Sequence, residues 1–403
     1  MKRKLLDIVL AVSMAASLSA CGGSGAATTA APAATTAAPT ATTAAAAATT
    51  AAAAATTAAP AATTAAAAVT TAAAASTGSV NATVIWRAFD DQFQSGFRII
   101  MQNQGKELGG INLDMQDAAN DVSTAISKLE ASLTKGTDVM AICAPDREST
   151  AEMAEKCNTE KVPVVFFNMQ PMDDTMAKYD NIYYVGAEAK QSGEMCAQAL
   201  INYWNKNKDI ADKNHDGKLQ LCILQGEIGQ QDVTLRTQAY EDALKAAGID
   251  YEILAKDTAN WDQSQALDKM NAWISAYGID GIEGVLSNND NMAMGAVQAC
   301  VNNGYNSGDK NKFVPIVGID ANIDALEAMK KGQLLGTVLN DRKNQSIAII
   351  NVIKAIKAGK PITKESVGVD CTVDGKYVWV PYVIVDDKNI DDTLALMNSI
   401  SKN

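Results

Sequence analysis

Apolar and polar residues follow two alternating patterns along most of the chain from residue 81 onward. Short apolar runs predict β-strands, and apolar positions three and four residues apart, as at Val122, Ala125, Ile126, Leu129 and Leu133, predict amphipathic helices. The predicted strands cover 83–86, 111–115, 139–143, 162–167, 219–224, 284–286 and 314–317, and the predicted helices cover 93–108, 122–133, 149–157, 238–247, 263–276 and 293–302. This alternation predicts an α/β fold with mostly parallel sheets flanked by helices. About 320 residues are many for one such sheet, so we expect two lobes.

The first 20 residues have the order of a secretory signal peptide. A basic start at residues 2–4 precedes an apolar stretch at 8–18, which is too short for a membrane-spanning helix. The sequence Leu-Ser-Ala-Cys that ends at Cys21 resembles a bacterial lipobox. We therefore predict a lipoprotein signal peptide over 1–20, with lipid on Cys21 anchoring the protein to the outer face of a membrane. The alternative is a plain cleaved signal with an incidental cysteine.

Residues 21–80 consist almost wholly of alanine and threonine, and no charged residue lies between Asp7 and Arg87. Methyl groups alone bury too little area to offset the entropy lost on ordering the chain. The segment is therefore predicted to be a flexible tether between the anchor and the folded body. A partly helical spacer is the alternative, and the sequence leaves open whether the threonines carry O-linked sugars.

Charge and histidine content exclude several classes of function. The chain carries 34 basic and 46 acidic side chains and a formal net charge of −12. A nucleic-acid-binding protein normally has a basic face, so we expect no nucleic-acid partner. His215 is the one histidine, which argues against most His-dependent hydrolases and zinc enzymes.

Polar side chains follow many of the predicted strands. Ligands of open α/β sheets bind beyond the carboxyl ends of the strands, so these positions are candidates for a ligand site. They include Asp91, Asn168, Gln230, Asp232, Arg236, Trp261, Asn289, Asp320 and Asn340. Carboxylates and amides pair with vicinal hydroxyls, and an aromatic ring covers the apolar face of a pyranose, so the set predicts a neutral polyol ligand. Any single Asp or Asn in such a place has the alternative role of turn former or helix cap.

The chain from about 83 to 389 resembles the galactose/glucose-binding members of the bacterial periplasmic binding proteins. The resemblance is carried by Val-Pro-Val-Val-Phe-Phe-Asn at 162–168, Tyr-Tyr-Val-Gly at 183–186, Trp-Asp at 261–262, Asn-Asn-Asp-Asn-Met-Ala-Met-Gly-Ala at 288–296, Gly-Thr-Val-Leu-Asn-Asp at 336–341 and Val-Pro-Tyr-Val at 380–383. It implies a two-lobe, type I periplasmic-binding-protein fold. The N-terminal lobe would comprise 81–187 plus 341–380, and the C-terminal lobe 188–340 plus 381–403. A three-segment hinge is expected near Ala187, Asp341 and Pro381.

The resemblance also implies roles for the candidate residues. Two aromatic rings, Phe93 and Trp261, would sandwich one hexose. The hydrogen-bonding set would be Asp91, Asn168, Asp232, Arg236, Asn289, Asp320 and Asn340. Where the family has histidine, this chain has Gln230, which both donates and accepts hydrogen bonds. The preference at one sugar hydroxyl, and hence the choice between glucose and galactose, stays open.

A second motif, Asp-x-Asn-x-Asp-Gly at 212–217, matches the first half of an EF-hand calcium loop. Asp212, Asn214, Asp216, the Lys218 carbonyl and Gln220 would supply the oxygen ligands. The twelfth position is Ile223, which cannot coordinate a metal. The resemblance implies that a distant carboxylate, Glu283, completes a structural Ca²⁺ site. His215 falls at a non-ligand position of the loop, so we predict that it is solvent-exposed. The alternative is a turn without metal.

The remaining six cysteines contain no C-x-x-C pair, so zinc and thioredoxin chemistry are unsupported. Cys143 and Cys222 lie in apolar strands, and Cys196 and Cys300 lie in predicted helices, which favours buried thiols. Disulfide pairings among these four, Cys157 and Cys371 cannot be derived from the sequence.

Together these features predict a lipid-anchored, monomeric binding protein that captures D-galactose or D-glucose and delivers it to the permease of an ABC transporter. The mechanism would be closure of two lobes and not catalysis. Three alternatives share the site: a glycosidase using two of Asp91, Asp232 and Asp320, a sugar-sensing co-receptor for signalling or chemotaxis, and a binding protein for another ligand, such as a pentose, a nucleoside or a signalling furanose.

Overall fold

Buried apolar strands and helices with one apolar face build the protein, and the predicted α/β architecture with mostly parallel sheets is confirmed. The computed structural model describes residues 78–401. The predicted signal peptide, nearly all of the tether and Cys21 lie outside the described residues. No helix among the described residues is both long and apolar enough to span a bilayer.

Thirteen strands and thirteen α-helices are present in residues 78–401. The strands are β1 (Val80–Trp86), β2 (Ile111–Asp117), β3 (Val139–Ile142), β4 (Val164–Phe167), β5 (Ile182–Gly186), β6 (Leu219–Gln225), β7 (Tyr251–Thr258), β8 (Gly284–Ser287), β9 (Ile316–Val317), β10 (Thr337–Leu339), β11 (Thr372–Asp374), β12 (Tyr377–Trp379) and β13 (Val383–Val385). The helices are α1 (Gln92–Leu108), α2 (Val122–Lys135), α3 (Thr150–Thr159), α4 (Asp173–Lys178), α5 (Ala189–Lys206), α6 (Lys208–Ala211), α7 (Gln231–Ala246), α8 (Gln263–Tyr277), α9 (Asp290–Asn302), α10 (Ile323–Lys330), α11 (Arg342–Lys357), α12 (Lys364–Val367) and α13 (Ile390–Ile400).

The first sheet has seven strands in the order β11-β12-β5-β4-β3-β1-β2. Its strands pair in parallel except for the antiparallel pair β11–β12. The short strands β3 and β4 are buried along their whole length, as parallel strands covered on both faces must be. Helix α11 packs against α1 on this sheet, and its residues Ile349 and Ile353 join the same core as Trp86 and Phe167.

The second sheet has four parallel strands in the order β7-β6-β8-β9. Helices α5 and α7 pack against each other, and so do α8 and α9. A separate antiparallel pair, β10–β13, is joined to the edge of this sheet by isolated bridges at Val317–Gly336 and Asp320–Leu339.

The chain passes three times between the two groups of strands. It leaves β5 of the first sheet for α5 at 187–188, passes from β10 to α11 at 340–341, and passes from β12 to β13 at 380–382. These are the positions at which the sequence predicts a hinge.

Some element bounds differ from the sequence predictions. Helix α7 begins at Gln231 and not near residue 238, because its first two turns carry polar residues and therefore lack the apolar periodicity of a buried helix. Helix α5 and strand β7 were not predicted at all. Strand β7 is an edge strand with mostly half-exposed positions, so it offers no continuous apolar run.

All six described cysteines are free and buried, and the expectation of buried thiols at Cys143, Cys222, Cys196 and Cys300 is confirmed. Cys143 lies one residue beyond β3 and not within it. Burial raises the pKa of Cys143 to about 11, so this thiol is not a thiolate nucleophile at neutral pH.

Candidate ligand-binding site

One cavity lies beyond the carboxyl ends of strands from both sheets. Its lining follows β1, β4, β5, β6, β7, β8, β9 and β10, so the parallel topology brings together residues that are far apart in sequence. The ten predicted ligand residues all line it: Asp91, Phe93, Asn168, Gln230, Asp232, Arg236, Trp261, Asn289, Asp320 and Asn340. The cavity has a volume of about 80 Å³, space for roughly six waters, which is the scale of one small polar molecule.

Helix starts position two of these residues. Asp91 caps α1 by accepting a hydrogen bond from Gln94 N at 2.8 Å, and Asn289 caps α9 by accepting one from Met292 N at 3.0 Å. Both side chains therefore act as helix caps, which is the alternative role that the sequence predicts for Asp and Asn in such places. It uses one side-chain oxygen in each case and leaves Asp91 Oδ2 and Asn289 Nδ2 for other partners.

Three residues of the cavity have left-handed backbone conformations. The φ angle is 60° at Asn168, 65° at Trp261 and 127° at Asp320. Asparagine tolerates this region, but for tryptophan it costs about 1–3 kcal/mol. Such strain persists only where the surrounding structure enforces it, and here it fixes the direction of side chains in the cavity.

Arg236 is the most constrained cation of the cavity and is only 5% exposed. It donates to Ser192 Oγ at 3.1 Å, to the Asn288 carbonyl at 2.7 Å and to Tyr382 Oη at 3.1 Å. Its Nη1 atom also lies 3.7 Å from Asp232 Oδ2. A guanidinium has five N–H groups, so two remain for Asp232 and a ligand.

The aromatic rings Phe93 and Trp261 are each accompanied by an arginine. The Arg342 guanidinium lies 5.2 Å from the Phe93 ring centre, and that of Arg236 lies 5.8 Å from the Trp261 ring centre. The Trp261 ring rests directly on the backbone of Gly226, where an added Cβ would lie 2.2 Å from the ring. The ring can occupy this position only because residue 226 has no side chain.

An ion pair joins segments that follow strands of different sheets. Arg87, just after β1, contacts Asp91 Oδ2 at 3.1 Å and Glu227 Oε2, beyond β6, at 3.4 Å. Burial opposes the charge on Arg87, but the carboxylates of Asp91 and Glu227 raise its pKa, so it remains a cation. The sequence interpretation missed Arg87, although it follows a buried strand as directly as the predicted residues do.

Burial raises the pKa of Asp320 to about 7, although Arg236 and Arg342 oppose the shift. The neighbouring carboxyl of Asp290 is also buried, and its pKa is raised to about 8 by burial and by the charge of Asp320. Asn340 Nδ2 donates to Asp320 Oδ1 at 3.4 Å. Asp320 therefore changes its charge near neutral pH.

The titration of Asp320 predicts a pH dependence of ligand binding. A ligand hydroxyl that donates to this carboxyl favours the ionised form, so ligand release below pH 7 is accompanied by proton uptake. We expect affinity to fall about tenfold between about pH 8 and about pH 6, measured by isothermal titration calorimetry. Asp290→Asn is the control. It removes the second titrating carboxyl, which lies outside the cavity, and should therefore preserve the pH dependence of binding. A flat profile in the wild type, or its loss in the control, would contradict this assignment.

The predicted metal loop lies at the amino ends of β6 and β8, at the opposite end of the strands from the cavity. Asp212 accepts a hydrogen bond from Gly217 N at 3.0 Å, and Asp216 accepts one from Lys218 N at 2.8 Å. Glu283 is fully buried and accepts hydrogen bonds from Lys213 N at 2.6 Å and Gln220 N at 3.2 Å. The structure thus places Glu283 against the loop, and His215 is exposed as expected.

Two oxygens of this loop, Asp212 Oδ1 and Gln220 Oε1, are buried without a hydrogen-bond partner. Within residues 78–401 no three Asp, Glu, His or Cys side chains converge as a metal cluster. A calcium loop uses amide and carbonyl oxygens beside its carboxylates, so this does not argue against one. Burial and the charge of Asp212 raise the pKa of Glu283, so the loop holds a buried carboxyl beside a second acidic side chain. The residues present therefore fit a calcium ion.

Comparison with known proteins identifies the family. A family model described as "Periplasmic binding protein domain" matches residues 82–361. The chain is 37% identical to the D-galactose/methyl-galactoside binding periplasmic protein MglB of Haemophilus influenzae over 306 residues, which cover 76% of this chain and 89% of the relative. It is 30% identical over 306 residues to a putative rhizopine-binding protein of Rhizobium meliloti, with 75% and 88% covered.

The fold agrees with solved structures. A periplasmic solute-binding protein of Actinobacillus succinogenes, solved with bound D-allose, superposes with a TM-score of 0.66 at 22% identity and covers 78% of this chain and 99% of its own. The type I fold predicted from the sequence is confirmed. The glycosidase alternative is excluded, because the family consists of non-enzymatic transport receptors. The chain belongs to the periplasmic binding protein family, the extracytoplasmic sugar-binding components of ABC transporters.

Proposed function

We propose that the protein captures D-galactose or D-glucose and delivers it to the permease subunits of an ABC transporter. The observation that carries this proposal is the convergence of two aromatic rings with carboxylates, amides and Arg236 around one small cavity. The relative with 37% identity is named for galactose and methyl-galactoside binding. A ligand rich in hydroxyls satisfies such a mixture of donors and acceptors, whereas an apolar or strongly charged ligand does not.

Binding proceeds by closure of two lobes about the three chain crossings, near Ala187, Asp341 and Pro381. The sugar stabilises the closed state through contacts that it makes with both lobes at once. Arg87 and Glu227 add a contact between the segments that follow β1 and β6. The protein acts as a monomer, and Cys21 carries the lipid that holds it at the outer face of the membrane.

A calorimetric panel of glucose, galactose, their methyl glycosides, ribose and xylose tests the sugar assignment. We expect affinity near micromolar for glucose or galactose, about −8 kcal/mol. Gln230, which donates to Glu227 Oε2 at 2.8 Å, lies at the position that distinguishes this chain from the family. Clear heat for ribose with none for either hexose would reject the assignment.

We also propose that the loop at 212–220 binds Ca²⁺ with a structural role. The ligands are Asp212, Asn214, Asp216, the Lys218 carbonyl, Gln220 and Glu283. The two buried oxygens without partners support this proposal. Strand β6 has seven residues, so the metal lies roughly 20 Å from the sugar. It binds the native state and not the unfolded chain, and therefore raises stability without touching the ligand.

Chelation should therefore lower the melting temperature while sugar affinity stays nearly unchanged at temperatures where the protein is folded. Differential scanning calorimetry with and without EDTA measures the first effect, and sugar titration measures the second. Glu283→Gln should lower the melting temperature in calcium, and its deficit relative to the wild type should shrink in EDTA. Glu227→Gln, at the sugar end of β6, is the matched control and should keep the full chelator effect. A wild-type melting curve unmoved by EDTA would show that the loop is only a turn.

A further inference from the structure

Gln94, in the first turn of α1, is a cavity residue that the sequence interpretation did not single out. Its side chain is buried, only 3% exposed, and lines the same cavity as Asp91 and Asn168. Its Nε2 atom donates to Asn168 Oδ1 at 2.7 Å. Its Oε1 atom is buried and has no hydrogen-bond partner.

This contact fixes the orientation of the Asn168 amide. Asn168 Oδ1 accepts from Gln94 Nε2 and also from Cys143 Sγ at 3.6 Å. The backbone of Asn168 is held as well, because Tyr184 Oη donates to its carbonyl at 3.2 Å. The acceptor of the Asn168 side chain is therefore used within the protein, and its Nδ2 donor is the group left for a ligand.

A buried acceptor without a partner is unfavourable, so native proteins rarely keep one unless something else satisfies it. Two such side-chain atoms among the described residues belong to residues that line the cavity, Gln94 Oε1 and Trp261 Nε1. Gln94 Oε1 is an acceptor and Trp261 Nε1 is a donor. A hydroxyl both donates and accepts hydrogen bonds, so a ligand bearing hydroxyls suits both atoms. The neighbouring Asp91 cannot satisfy Gln94 Oε1, because an ionised carboxylate only accepts hydrogen bonds.

We propose that Gln94 and Asn168 together read one hydroxyl of the bound sugar: the hydroxyl donates its hydrogen to Gln94 Oε1 and accepts one from Asn168 Nδ2. This rests on the proposed sugar-binding function of the cavity. Gln94 is thereby a specificity-determining residue, which selects a group that both donates and accepts. A fluorine, a methoxy group or a hydrogen at that position of the ligand cannot make both bonds.

The test combines a protein change with a ligand change. Affinities of the wild type and of Gln94→Met are measured by calorimetry for the preferred sugar of the panel and for its deoxyfluoro derivatives, one position at a time. We expect Gln94→Met to weaken the parent sugar about tenfold. One derivative should bind the wild type about tenfold more weakly and lose nothing further in the variant. Gln104→Met is the matched control, since Gln104 is buried on the same helix, donates to Glu107 and lies outside the cavity.

The proposal is overturned if Gln94→Met binds the parent sugar normally, or if it weakens the parent and all derivatives by the same factor. Independently of any variant, the proposal is also overturned if every deoxyfluoro derivative binds the wild type as tightly as the parent sugar. This combined protein and ligand comparison uses whichever sugar binds most tightly in the calorimetric panel. Absence of binding to glucose and galactose would therefore reject the hexose assignment, while the same measurement on the sugar that does bind would still decide the role of Gln94.

Discussion

Replacing Trp261 with alanine should weaken sugar binding by about 2–4 kcal/mol, the range for a buried aromatic side chain at the centre of an interface. The ring lines the cavity, rests on the backbone of Gly226 and has its Nε1 atom buried without a protein partner. It belongs to the edge of its hydrophobic cluster and not to its fully buried part, so the variant should fold. Titration calorimetry measures the affinity, and the fluorescence of the wild type should change when sugar covers the ring.

Trp273→Ala supplies the contrast, because Trp273 lies on the buried face of α8 and is not part of the cavity lining. It should lower the free energy of unfolding by about 3–5 kcal/mol while the folded fraction binds sugar normally. If Trp261→Ala bound sugar normally, or failed to fold, Trp261 would be a core residue and the stacking role would be wrong.

Arg236→Met should reduce both stability and binding. The guanidinium bonds to Ser192, the Asn288 carbonyl and Tyr382, which belong to α5, the end of β8 and the third chain crossing. Hydrogen bonds to a charged group contribute about 1.5–3 kcal/mol each, and the packed methionine side chain recovers part of the loss, so we expect about 2–4 kcal/mol lower stability. Urea denaturation should show a lower midpoint at an unchanged slope.

The folded fraction of the Arg236→Met variant should also bind sugar more weakly, for a reason that is independent of its lower stability. Arg236 favours the ionised form of Asp320, so its removal leaves that carboxyl protonated at neutral pH and weakens its acceptance of sugar hydroxyls. Sugar affinity should fall by more than about 2 kcal/mol. Arg98→Met removes an arginine that lies over the Phe89 ring outside the cavity lining and should leave affinity unchanged. Equal affinities for Arg236→Met and the wild type would remove Arg236 from the ligand site.

The ligand site could be predicted from the sequence because of a general property of parallel sheets. The carboxyl ends of parallel strands share one edge of a sheet, so Asn289 and Asp320 meet beyond β8 and β9 of the second sheet, and Asn168 lies beyond β4 of the first sheet, in the same cavity. That argument depends only on recognising the strands, whose apolar runs are plain. It gives the lining of the cavity but not the hydrogen bonds within it.

Arg87 follows a strand directly and carries that signal, but two other missed features do not. Gln94 lies in the first turn of α1, where a glutamine is ordinary, and only its contact with Asn168 distinguishes it. The early start of α7 was missed for a related reason. Its first turn places Gln231 and Asp232 in the cavity lining, so polar residues stand where the apolar periodicity of a buried helix would be recognised.

Gly226 has a consequence for how the binding range of this protein can change. The Trp261 ring fits its position only because residue 226 has no side chain, since a single methyl group there would overlap the ring. A substitution at this position would alter ligand choice without exchanging any side chain that touches the sugar. Comparisons that infer the ligand of a binding protein from its contacting side chains alone would overlook it, so the glycine should be read together with the aromatic residue that it supports.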